Sequence, residues 1–273
     1  MMNIFNLFKP KPILSKNALD FEIASFRWLL KHFNLLEFYN VNRLILPNEK
    51  FFPINMGDSD EVAKETFEYV KNYAGMSKWS CVLEEQEADI DPFVSNNVMV
   101  KNLDNNPLGT FVQDHNYQAI ITYNPSIVDK PMNLIATFAH ELSHYRIRDT
   151  GATPPGGWEN EEQLTDITAT FLGFGIFMAN STFNTSTNAD WWQANYSGYL
   201  SETEHIYALG IFMELKEIPF KEASESLKPH LRKLLKKVIK EIRRDKILER
   251  IFQKKSQKER LRVEASKYDK WRR

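Results

Sequence analysis

The segment His140-Glu141-Leu142-Ser143-His144 constrains this chain more than any other. Residues four apart project from the same face of a helix, so both imidazoles can reach one metal ion. The surroundings read as a buried helix over about 131–148. Phe138, Ala139 and Leu142 are apolar, Ser143 brings no charge, and no proline or glycine interrupts 132–148. Pro131 suits a first helical turn, with Asp129 or Ser126 as the expected cap.

The chain has one cysteine, Cys81. A disulfide within the chain and a cysteine-built metal site are thereby excluded, so a metal here must be held by His, Asp or Glu, and zinc is the expected ion. Cys81 lies in the apolar run Trp79-Ser80-Cys81-Val82-Leu83 and reads as a packed thiol. Glu141 follows the first histidine directly. Its carboxylate can lie beside a metal-bound water, whose pKa the metal lowers, and act as general base.

Two histidines leave a ligand to be found. Eighteen residues after His144 stands Glu162, and one helical turn later Asp166. This spacing puts both carboxylates on one face of a second helix, expected over 159–180. Glu162 is the expected third ligand. Asp166 is the expected acceptor for the far N–H of a ligating histidine, which would fix its tautomer. Glu159 and Glu161 compete with Glu162, but neither has a carboxylate one turn later. The segment 150–158, Thr-Gly-Ala-Thr-Pro-Pro-Gly-Gly-Trp, must be a loop that lets the second helix fold back on the first.

His140-Glu141-Leu142-Ser143-His144 followed by Glu162-Gln163-Leu164-Thr165-Asp166 resembles the gluzincin metallopeptidases, of which thermolysin is the best known. The resemblance covers about residues 117–180. It implies His140, His144 and Glu162 as zinc ligands, Glu141 as general base and Asp166 behind a ligand. The strand expected over 117–124 looks like the zincin edge strand, along which an extended peptide would lie. A gluzincin also needs a donor for the oxyanion of the tetrahedral intermediate. Candidates are Tyr145, Tyr196, Tyr199, His205 and Tyr207, with His205 preferred for its place on a capped helix beyond the zinc helices. The implied function is hydrolysis of a peptide bond in a peptide or protein substrate.

Other segments fill in an α+β fold, a zincin-like domain with a small mixed sheet and an active-site helix pair. An amphipathic helix is expected over 18–36, where His32 reads as a core histidine. Strands are expected at 43–47 and 78–85, and a helix capped by Ser59 at 60–74. Glu84 to Asp91 reads as a solvated acidic loop. Ser201 and Glu204 form a capping box for a helix over 202–216. The apolar stretch from Ile167 to Phe183 is broken by Thr168, Thr170, two glycines and Asn180, so it reads as a buried helix, not a membrane span. No secretory signal is visible and a cytoplasmic location is expected.

Charge divides the chain. Residues 221–273 hold about 20 Lys and Arg against about 8 Asp and Glu, roughly +12, although the whole chain carries −1. Leu227, Leu231, Leu234, Val238 and Ile242 form a helical stripe within this tail, over about 222–253. The favoured expectation is a solvated helix whose stripe packs on the acidic body or on a partner. Contact with nucleic acid or an acidic membrane is the alternative, and few aromatics interleave with the charge, which disfavours single-strand stacking. Three parts are expected: 1–116, a catalytic core at 117–220, and the tail 221–273. The competing functional reading is a regulatory or binding protein that has kept a zincin-like domain and touches nucleic acid or protein through the tail.

Overall fold

The computed structural model describes residues 10–33, 35–53, 57–86, 107–113, 118–181 and 199–252. Ser15 opens the first helix, its hydroxyl accepting the Ala18 N–H at 3.2 Å and satisfying a donor that a first turn leaves unpaired. Helix α1 (Lys16–His32) ends at the extended Phe33, and a short α2 (Leu35–Asn40) follows, so the single helix expected over 18–36 is two. His32 is half-buried with its ring 4.8 Å from that of Trp28. Trp28 Nε1 donates to the Thr153 carbonyl at 2.9 Å, fastening α1 to the 150–158 loop. Helix α3 (Ser59–Tyr73) is capped by Asp58, not Ser59: its carboxylate accepts the Glu61 N–H at 2.9 Å and also suits the positive end of the helix.

The sheet has three strands, β1 (Cys81–Glu85), β2 (Gly109–Gln113) and β3 (Ala119–Tyr123), in the order β1-β3-β2. β1 is parallel to β3 and β2 antiparallel to it. Ala119, Ile121 and Tyr123 alternate inward along β3, as a half-buried strand requires, and Tyr123 meets Phe138 edge-on. This corrects one expectation. β3 is the central strand, and the outer strands of the described sheet are β1 and β2, the latter absent from the strands expected above. Residues 78–80 precede the sheet as a turn. Cys81 is part-buried, and burial pushes its thiol up.

The chain then enters helix α4 (Pro131–Asp149) through a 3-10 turn at Pro125–Ile127 that Asn124 caps. Neither Asp129 nor Ser126 caps α4; Lys130 precedes Pro131, which has no N–H and so needs no acceptor. The second long helix is not continuous. It comprises α5 (Glu161–Ala169), a π-turn at Thr170–Phe174 and α6 (Gly175–Ser181). Gly173 in the π-turn has φ 113°, a region closed to most side chains. Its carbonyl accepts the Ile45 N–H at 3.0 Å. Residues 43–47, expected as a strand, form none: the Ile45 N–H bonds this helix break, and the segment does not join the sheet.

Ser201 and Glu204 do form the capping box of α7 (Glu202–Lys216). Buried residues surround this helix on all sides, from His205 through Met213. The described part of the tail is three helices, not one: α8 (Phe220–Ser224), α9 (Pro229–Arg244) and α10 (Ile247–Phe252). Pro229 cannot continue a helix and starts one instead, and Lys246 turns the chain with φ 53°. α9 runs parallel to α7. His230 meets Glu202 at 2.9 Å near one end, Val238 and Ile242 face Gly210 in the middle, and Arg243 holds Glu214 at 2.7 Å near the other. The packed face of α9 is Leu231, Leu235, Val238, Ile239 and Ile242. One apolar core runs from Leu14 to Phe252 through all three regions of the chain. Among the described residues no helix is long and apolar enough to cross a membrane.

Candidate metal centre

The two helices that the loop 150–158 joins carry the site between them. His140 and His144 lie one turn apart on α4, both buried. Their Nε2 atoms are 3.1 Å from each other. Glu162 Oε2, from α5, lies 3.2 Å from the first and 3.5 Å from the second. Donors held about 2.0–2.1 Å from a tetrahedral zinc ion stand about 3.3–3.4 Å apart. The triangle has that size. Glu162 Oε2 is buried and, close as it is to both nitrogens, makes no hydrogen bond of acceptable direction. Among the described residues, His140, His144 and Glu162 form the one group suited to hold a metal ion.

The helical repeat of α5 supplies each histidine with its own outer partner. His140 Nδ1 is 2.9 Å from Asp166 Oδ1. His144 Nδ1 is 3.2 Å from Glu161 Oε1 and 3.3 Å from Thr165 Oγ1. Two pairs spaced by four, Glu162 with Asp166 and Glu161 with Thr165, are offset by one residue and serve the two histidines. A proton on Nδ1 of each ring leaves the Nε2 lone pair facing inward. Glu161 is held in turn by Arg148, Nε at 2.8 Å and the guanidinium nitrogen at 3.3 Å. The sequence reading treated Glu161 only as a rival ligand. The signal for its actual place was Thr165 one turn further on.

Burial opposes charge on His140 and His144. The carboxylates outweigh it, Asp166 and Glu162 at the first and Glu161 and Glu162 at the second, and raise both imidazoles above their ordinary pKa. Glu162 is only partly buried, and the two imidazoles hold it well below the usual carboxylate range. The pocket is thus an excess of carboxylate around two bases, a setting that favours a bound cation. Glu141 is buried, and burial raises its pKa. Strand β2 passes directly over it. A Cβ on Gly109 would lie 3.2 Å from Glu141 Oε1 and 2.9 Å from the Thr122 carbonyl oxygen, so the strand fits there only as glycine. Phe111 of β2 lies parallel to the His144 ring, 6.4 Å centre to centre, with Arg148 over its face at 5.4 Å.

The five oxyanion candidates separate clearly. His205 is buried against Asp166, its Nε2 3.5 Å from Oδ2, and so stands behind Asp166, on the side away from the inward-facing Nε2 atoms. The Leu200 N–H donates to the same oxygen at 3.0 Å. Tyr145 donates to the Ser80 carbonyl, and Tyr207 to buried Glu241 between α7 and α9. Tyr196 lies outside the described residues. Tyr199 is half-exposed, with its ring 5.6 Å from that of His140. No protein-family model, curated protein or solved structure matches the chain.

Proposed function

We propose that this protein is a zinc-dependent hydrolase of peptide bonds, of gluzincin type. The observation that carries the reading is the triangle of His140 Nε2, His144 Nε2 and Glu162 Oε2, with edges of 3.1–3.5 Å, immediately beside Glu141. These donors would hold the ion, with Asp166 and Glu161 fixing the histidines. A zinc ion bound there supplies electrophilic activation of a carbonyl and of water.

The chain's own groups supply the rest. Glu141 accepts a proton from the attacking water on its carboxylate and delivers it to the departing amine nitrogen. Its burial raises its proton affinity, which suits a group that must both take and return a proton. Tyr199 is the donor for the oxyanion; His205 instead steadies Asp166. Among the described residues β2 is an outer strand of the sheet beside the site, and its backbone would take an extended substrate by strand addition. Burial of the His140 and His144 rings limits competing water.

Elemental analysis of the wild type and Glu162→Ala, with cleavage of a quenched peptide library by the wild type and Glu141→Gln, tests this. About one zinc per chain in the wild type, much less in Glu162→Ala, and turnover lost in a metal-loaded Glu141→Gln are expected. No zinc in the wild type after supplementation would remove the reading. Zinc without any Glu141-dependent turnover would leave a metal site that is not a peptidase.

A further inference from the structure

Packing of α9 on α7 uses the apolar stripe of the tail but leaves its charge uncommitted. Lys233, Lys236, Lys237 and Lys240 are all exposed. At 100° per residue they fall within roughly 100° of the helix circumference, opposite the buried stripe. None of them forms an ion pair among the described residues. Nearby arginines do: Arg243 holds Glu214, Arg244 holds Asp245 and Arg250 holds Asp20. Among the described residues, carboxylates therefore neutralise the margins of this surface and none pairs with its centre. The one acid within α9, Glu241, is buried and faces inward, where it accepts from the Ile13 N–H and Tyr207.

We infer that this face of α9 binds the phosphate backbone of a nucleic-acid duplex, without reading its sequence. The inference is independent of the metal centre. Four ammonium groups over eight residues occupy about 10 Å of helix axis, a length over which a duplex presents about six phosphate charges. A polyphosphate backbone is the partner that sustains such a density. A lipid surface fits less well, since membrane-bound helices seat apolar side chains below the headgroups. The apolar residues of α9 are already in the core, and the exposed large hydrophobics, Val41, Trp158 and Tyr199, lie elsewhere. Single strands fit less well too, since among the described residues no exposed aromatic lies among these lysines for bases to stack on.

The test uses the full chain and a fluorescent duplex of mixed sequence, with anisotropy read between 50 and 200 mM salt. The comparison is with the quadruple variant Lys233→Gln, Lys236→Gln, Lys237→Gln, Lys240→Gln, whose fold is checked by circular dichroism. Each phosphate contact contributes about −0.9 to the slope of log affinity against log salt. The wild type should bind, and its slope should be steeper than the variant's by about 3–4. Across that salt range this is an affinity loss roughly 100-fold greater in the wild type. Four Lys→Arg replacements should keep the binding. Equal slopes in wild type and glutamine variant would overturn the assignment and move binding to other basic residues, such as those of 253–273. Absence of duplex binding at 50 mM salt would overturn it, as would stronger capture by phosphatidylserine vesicles than by duplex.

Discussion

Replacing Gly173 by alanine should destabilise the protein by about 3–5 kcal/mol. A non-glycine residue at φ 113° costs about 1–3 kcal/mol in backbone strain. The new Cβ would also collide with the Arg43 carbonyl oxygen and press on Ile45 Cγ1 at 3.3 Å. A backbone carbonyl cannot swing aside as a flexible side chain can, so the segment 43–47 must lift. That loses the Ile45 N–H bond to Gly173, worth about 0.5–1.5 kcal/mol net. It also loosens Leu44 and Ile45, both buried, at about another 1–2 kcal/mol. Gly151→Ala provides the control. Gly151 also has positive φ, 61°, but nothing lies within 4 Å of its Cβ position, so only the strain of about 1–2 kcal/mol applies. Urea unfolding followed by circular dichroism measures both. If the two variants lose the same stability, or Gly173→Ala loses less than about 1 kcal/mol, the docking of 43–47 on the helix break is not as described.

Further predictions concern buried charge and the site. Glu22 on α1 is buried with neither carboxyl oxygen hydrogen-bonded, and burial, with Glu204 nearby, raises its pKa well above 4.5. Between the unfolded and folded pKa values the folded state holds a proton that the unfolded chain releases, so this group's contribution to stability falls as pH rises through that window. Glu22→Met should remove the decline and gain about 1–3 kcal/mol at neutral pH; unfolding curves at pH 5 and pH 8 that match the wild type would contradict this. Asp166→Asn and Glu161→Gln, each replacing the charged acceptor behind one histidine by a neutral amide, should weaken zinc binding by about 10–100-fold by calorimetric titration. An unchanged affinity in Glu161→Gln would mean that Thr165 alone orients His144. On the proposed activity, Tyr199→Phe should lower kcat by about 100-fold or more with KM little changed, whereas a rise in KM alone would make Tyr199 a substrate-binding residue.

The site was legible because its information is local. His140, His144, Glu162 and Asp166 lie on two helices joined by one proline-glycine loop, and the 3.6-residue repeat alone aligns them. The capping box at Ser201 was legible for the same reason. What escaped depends on distant partners. β2 is five residues long and gains its identity from pairing with β3 and passing over Glu141. The helix break at Gly173 has meaning only beside Arg43, which is far away in sequence. Glu161 resembled Glu162 until Arg148 and His144 were seen to share it. The preference for His205 failed to foresee that a buried histidine would be drawn to the far oxygen of Asp166.

The local origin of the site also bears on how the molecule is made. Its three donors span residues 140–162, so bringing them together closes a short loop, at little entropic cost beside that of the sheet or the α7–α9 pairing. Contacts of this kind favour rapid formation. The α4–α5 hairpin is therefore the part of the chain best placed to capture an ion while synthesis or refolding is still under way. An ion captured then would hold the hairpin closed before 43–47 docks behind it. Refolding in zinc should be faster than refolding in a chelator, with the gain confined to the earliest phase.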